Sequence, residues 1–163
     1  MASFDTVSEV NMQELDNAVN NLKKELNTRF DFKGSNTEVD LNKKDKLIKI
    51  VTTDDMKMNM LREMLISVVT KRSVDSRCLE FGEVEKAGGS MLRREVKIKE
   101  GIDKDIAKKI TTAVKESKLK VQASIMDDKV RIQGKKIDDL QAVIQILKGL
   151  DLPLPLQFIN MKS

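Results

Sequence analysis

Arg29, Phe30, Asp31, Phe32 and Lys33 follow one another in the stretch NTRFDFKGSN. Two cations and two rings within five residues could hold a phosphate and stack on a base. They stand out because the chain has no Trp, no Tyr and only 5 Phe. Their alternation suggests Phe30 and Phe32 facing one way and Arg29, Asp31 and Lys33 the other. The ring pair is then expected to anchor a core or to wedge between units, while the polar trio reads about equally as a solvated corner or as a ligand site.

A second set is purely cationic. In SKLKVQA, Lys118 and Lys120 alternate with Leu119 and Val121, as on a strand. Arg131 lies between Val130 and Ile132 and would point to the same open side. Three cations on one sheet surface can meet a phosphodiester. The rival reading is a solvated outer face in which Lys protects a sheet edge. Lys108 and Lys109 are adjacent on a predicted helix, about 100° apart, and read as a solvated stripe unless that helix lines a cleft. Phe4 is a further stacking candidate. If Val7 faces the core, Phe4 faces away, as a platform or a contact between units.

Other chemistries are short of residues. Without any His, the usual Ser-His-Asp and Cys-His sites and His-ligated metals cannot be built. Cys78 is the single cysteine, so no internal disulfide can form. No acidic cluster has metal-ligand spacing, and exposed helix-end charge is the better reading of Glu9, Glu14, Asp54 and Asp55. The pattern G-x-x-x-x-G-K-[ST] is missing, as is G-x-G-x-x-G, which speaks against a P-loop and a Rossmann site. No enzymatic activity, cofactor or metal is expected. The N-terminus lacks a signal-peptide pattern, and no apolar run approaches the ~20 residues that span a bilayer. A cytoplasmic protein without membrane contact is expected.

These side chains must be positioned by elements that periodicity reveals. Residues 3–10 read as a strand. A helix follows, with Leu15, Ala18, Val19, Leu22 and Leu26 on one face, and then two strands over TEVDLN and KLIKIVT. Next come a helix through Met58, Leu61, Leu65 and Val68 and a strand over CLEFGEV. The second half repeats the order through REVKIKE, a helix from Asp103, the hairpin LKVQASI–KVRIQG, a helix through Leu140, Val143 and Leu147, and PLQFIN. Matching apolar positions lie 91 residues apart in the first helices and 82–84 apart afterwards, so RFDFKGS is an extra segment of the first unit. Two β-α-β-β-α-β units predict an α+β tandem of ferredoxin-like domains with antiparallel sheets. The expected division is 1–86 and 87–163, with the joint near Gly88 and Gly89. Met56, Met60 and Met64 form a second helical stripe, expected to be buried between the domains.

Charge divides unevenly. Residues 1–86 hold 14 Lys/Arg against 16 Asp/Glu (−2), and residues 87–163 hold 16 against 10 (+6), together the net +4 of the chain. The second half is therefore expected to meet phosphates.

Six segments in one order resemble the YajQ family of bacterial cytosolic proteins: SFDTVSEVNMQELDNAV, RFDFKG, GIDKDIAKKI, SKLKVQA, DDLQAVI and LPLQF. The resemblance implies nucleotide binding and domains similar to RNA-binding ribonucleoprotein domains. It also implies that the N-terminal strands, residues 3–10 and 91–99, are exchanged between the sheets. Some family members are regarded as cyclic di-GMP receptors that act on transcription. The tail departs from the family's Phe-x-Asn-Phe-Arg, reading Phe158-Ile159-Asn160-Met161-Lys162, and so lacks one aromatic. The expected ligand is a nucleotide, a cyclic dinucleotide included, with a transcription regulator as partner. The alternatives are a non-sequence-specific RNA or tRNA binder and a protein-interaction module with no nucleotide.

Overall fold

The computed structural model describes all 163 residues, Met1–Ser163. The chain forms two compact units: Val10–Lys99 is one, and Met1–Glu9 together with Glu100–Ser163 is the other. They are called here the continuous and the split unit. No helix is long and apolar enough to cross a membrane.

The chain begins with β1 (Ala2–Val7), which belongs to the split unit. The continuous unit then runs α1 (Met12–Thr28), β2 (Glu38–Asn42), β3 (Leu47–Thr52), α2 (Asp55–Lys71), a short 3-10 turn, β4 (Leu79–Phe81), β5 (Glu85–Ala87) and β6 (Met91–Ile98). Both helices of this unit start where a side-chain oxygen takes up an orphan N–H. Asn11 accepts from the Glu14 N–H, and Asp54 from the Lys57 N–H. The buried faces of α1 and α2 carry Leu15, Val19, Leu22, Met58, Leu61 and Leu65, all essentially inaccessible to solvent. They pack with Val39, Ile48, Ile50 and Val96 in one core. The sheet order is β2-β3-β6-β4, with β5 continuing the edge beside β6. The expected strand CLEFGEV is thus a strand only over Leu79–Phe81, and pairing resumes at β5, past a bulge that begins at Gly82. At the bulge the Gly82 N–H donates to the Glu95 carbonyl at 2.9 Å, and a Cβ at Gly82 would sit 2.9 Å from that same oxygen. Only glycine lets the backbones approach so closely.

The split unit is completed by α3 (Lys104–Ser117), β7 (Val121–Met126), β8 (Lys129–Gly134), α4 (Ile137–Lys148) and β9 (Gln157–Lys162). Asp103 caps α3 by accepting from the Ile106 N–H. Ile106, Ile110 and Val114 pack with Leu140, Val143 and Leu147 over Val130 and Ile132. The sheet order is β7-β8-β1-β9, antiparallel throughout. Both units are therefore α+β with helices on one side of an antiparallel sheet, the ferredoxin-like arrangement. In each sheet the strand beside the hairpin is distant in sequence: β6 lies beside β3, and β1 beside β8.

The structure corrects three expectations about side-chain direction. Phe4 does not face away from the core: it is 1% exposed, packs in the core of the split unit and meets Phe158 edge-on at 5.8 Å. Val7 is the residue that shares the other face with Ser3 and Asp5. Phe30 and Phe32 do not share a face, since Phe32 is buried at 3% and Phe30 is 93% exposed. The segment is a turn, with the Phe32 and Lys33 N–H groups both donating to the Arg29 carbonyl. At about 100° per residue, i and i+2 point apart. Lys118 and Lys120 do not lie on a strand, because β7 begins only at Val121. Lys118 ends α3 in the left-handed region at φ 59°.

Candidate functional site

The pairing registers define what each sheet shows on the side away from its helices, because residues directly opposite one another share a face. In the split unit one row runs Gln122, Gln133, Ser3, Lys162 across the four strands, and the next runs Ser124, Arg131, Asp5, Ile159. Lys129 and Met126 begin a third row, beside Val7 and Gln157. This open face offers hydroxyls, amides and three cations, Lys129, Arg131 and Lys162, against one carboxylate, Asp5.

Asp5 organises the face. It is only 1% exposed although it points away from the core. Arg131 Nε donates to its Oδ1 at 2.9 Å, and Asn160 Nδ2 to its Oδ2 at 3.0 Å. Lys129 Nζ stands 3.5 Å from Oδ2. The Arg131 hydrogen bond is the main cause that lowers the Asp5 pKa to about 2. Burial opposes the shift, and the Asn160 bond and the Arg131 and Lys129 charges add to it. The same contact raises the pKa of Arg131. Asn160 reaches the carboxylate because β9 is irregular here: the β1–β9 register shifts between Ser3 and Asp5, and Asn160 has φ 57°. Ser3, Asp5, Arg131, Gln133, Asn160 and Lys162 line a recess of about 280 Å³.

The continuous unit presents a different open face. Its rows run Glu38, Val51, Arg93, Glu85; then Asp40, Lys49, Glu95; then Asn42, Leu47, Lys97, Glu80. Five carboxylates stand against three cations. A cavity of about 860 Å³ on this unit is lined by Asp45, Glu80, Glu83, Glu85 and Glu95 among others. The charge asymmetry expected between sequence halves does not carry over to the units. Val10–Lys99 holds 18 Lys/Arg and 15 Asp/Glu (+3), and the split unit holds 12 and 11 (+1). The sign of each open face, not the total, separates the two.

Of the residues singled out by sequence, Arg131 alone lies on the cationic face. Lys118 and Lys120 are exposed just before β7. Lys108 and Lys109 lie on α3 and, with Leu150, Asp151 and Leu152, line a groove of about 620 Å³ in the helical layer. Arg29 and Lys33 belong to the continuous unit. The Arg29 guanidinium is held by Asp31 at 2.8 Å and Glu25 at 3.5 Å, and these raise its pKa, Asp31 first. Lys33 is exposed. Of the expected stacking residues, Phe4 and Phe32 are sealed in cores and only the Phe30 ring is accessible. The methionine stripe is open at one end: Met56 is 73% exposed, and Met60 and Met64 are half-buried against the unit's own core. With Arg29, Asn59 and Glu63 they line a groove of about 450 Å³. Asp5, Gln133, Asn160 and Lys162 were missed. The available signal was an acid in the apolar strand SFDTV, which a buried face tolerates only with a partner.

The family model described as "Nucleotide-binding protein YajQ-like" matches residues 2–162. The chain belongs to that family. Proteins named "Nucleotide-binding protein" resemble it over full length. That of Nitratidesulfovibrio vulgaris Miyazaki F is 55% identical over 163 residues, covering 100% of each chain, and that of Geotalea daltonii is 50% identical over the same span. A relative from Cytophaga hutchinsonii is 47% identical over 162 residues, covering 99% of this chain and 100% of its own. The matched span includes both β1 and β9, the strands that build the face around Asp5.

Proposed function

We propose that the chain binds a phosphate-bearing nucleotide on the open sheet face of the split unit, and that it works by binding and not by turnover. The observation that carries this reading is the Asp5 cluster. One carboxylate, itself buried, holds Arg131 and Lys129 in place while Lys162, Ser3 and Gln133 stay available around the recess. A guanidinium held by a fixed acid is pre-organised for a second anion. The family's printed name supports a nucleotide as ligand. The recess is too small for a whole cyclic dinucleotide, which would have to lie across the rows with one phosphate in the recess. Cyclic di-GMP remains the finer proposal, with an effect on transcription through a regulator bound in the presence of the ligand. An RNA ligand is the second reading, favoured by the flat extent of the face. Against it stands the lack of any aromatic side chain in the two complete rows.

Calorimetric titration against cyclic di-GMP, GTP, ATP and a short single-stranded RNA tests the proposal. Arg131→Glu and Lys162→Glu are each expected to weaken the bound ligand at least about tenfold, since each reverses a phosphate contact. RNA affinity should fall steeply with salt, and that of a compact dinucleotide less so, because fewer counterions are released. A ligand that binds equally well to both variants refutes the assignment of this face.

A further inference from the structure

The two sheets have four edges, and three of them carry the usual guards against pairing with another chain. β2 has Glu38 and Asp40, the β4–β5 edge has Glu80, Glu85 and the Gly82 bulge, and β9 has Lys162 and an irregular register. β7 has none. Its six residues, VQASIM, include no charge and no proline, and its ladder with β8 is regular from Val121 to Met126. Ile125 is 56% exposed and Met126 38%. In a chain with 34% charged residues, a bare edge of this length is a template for a strand.

The backbone is set for it. A two-residue turn closes on a hydrogen-bonded pair, here Met126 and Lys129. The alternation of an antiparallel ladder then turns the N–H and C=O groups of Ala123 and Ile125 away from β8. In keeping with this, the Val121 N–H is bonded to the Leu119 carbonyl.

We propose that β7 is the docking edge for a second copy of this chain, the two β7 strands pairing antiparallel about a two-fold axis at Ala123. This register sets Val121 opposite Ile125 of the other copy and Gln122 opposite Ser124, so like meets like on both faces. It also joins complementary charge. Lys118 and Lys120 precede the strand, while Asp127 and Asp128 form the turn after it, and all four are exposed. Antiparallel pairing brings the basic end of one β7 to the acidic end of the other, at both ends of the interface. The same pairing of β2 about its centre would oppose Asp40 to Asp40. Lys118 and Lys120 thus have a role as end clamps of a strand, apart from any phosphate.

A six-residue edge buries less than a standard interface, so the dimer is weak. Sedimentation equilibrium from about 10 µM to about 1 mM, the range where weak pairs populate, should show the mean mass rising towards twice the monomer. Ala123→Pro removes an outward N–H without touching the ladder to β8 and should hold the mass at the monomer value. Lys118→Glu with Lys120→Glu in one chain, and Asp128→Lys in another, should each self-associate about tenfold less tightly at low salt. Mixed in equal amounts they should pair with each other at wild-type strength, a rescue that loss of folding cannot imitate. A wild type that stays monomeric over the whole range overturns the proposal. So does an association that none of these substitutions changes.

Discussion

At the scale of single residues, the open face depends on an acid that alternation alone leaves inconspicuous. Asp5 has its pKa lowered to about 2, from 3.8, chiefly by the Arg131 hydrogen bond. A depressed carboxylate stabilises the fold above its unfolded pKa, and that contribution is lost as pH falls through the folded one. The window here is therefore about pH 4 down to about pH 2, and the amount is about 2 kcal/mol. Asp5→Asn should lower stability by about that much at pH 7 and flatten the denaturation profile across that window, as read by urea titration at several pH values. A pH profile unchanged by the substitution would show that Asp5 is not the group that titrates. The residues that were misread failed for local reasons. Phe30 and Phe32 alternate in sequence, but a turn does not have the period of a strand. Lys118 stands in the left-handed region without being glycine, so nothing in SKLK announced where the helix stops. Phe4 was placed through Val7, which is buried at 5% although it lies on the open face.

At the scale of elements, period and capping made nearly every helix and strand legible. Leu15, Ala18, Val19, Leu22 and Leu26 are the buried face of α1, as spacing predicts. The extra segment RFDFKGS is also where it was expected: α1 ends at Thr28 and β2 begins at Glu38, whereas α3 ends at Ser117 and β7 begins at Val121. Periodicity cannot say which sheet a strand joins, because an amphipathic strand fits any sheet with a free edge and a core beneath it. β1 fills that position between β8 and β9, and it brings Ala2 and Phe4 to the core. Phe4→Ala should cost about 3–5 kcal/mol and should loosen β7, β8 and β9 while sparing the continuous unit. Amide hydrogen exchange resolves the difference. Equal loss of protection at Ile48 and Ile132 would contradict two separate cores.

At the scale of the whole molecule, the continuous unit is one uninterrupted stretch and the split unit is not. A fragment Val10–Lys99 holds every strand of its own sheet and should fold alone, with a cooperative thermal transition and dispersed amide resonances. A fragment that begins at Glu100 lacks β1 and should not fold until the strand is restored. Restoring it is simple in principle, because Ser3 pairs with Lys162, so a short linker from Ser163 to Met1 would make the split unit contiguous. The same arrangement inverts the order of making and folding. β1 leaves the ribosome ahead of both its neighbours in the sheet, and Phe4 pairs opposite Ile132, 128 residues later. At ordinary elongation rates the strand waits roughly 6–25 s for its partner, long enough for the whole continuous unit to fold in the interval. A strand synthesised before its whole sheet is among the last to be enclosed, and during that delay a chaperone, a nascent neighbour or a fused tag competes for it.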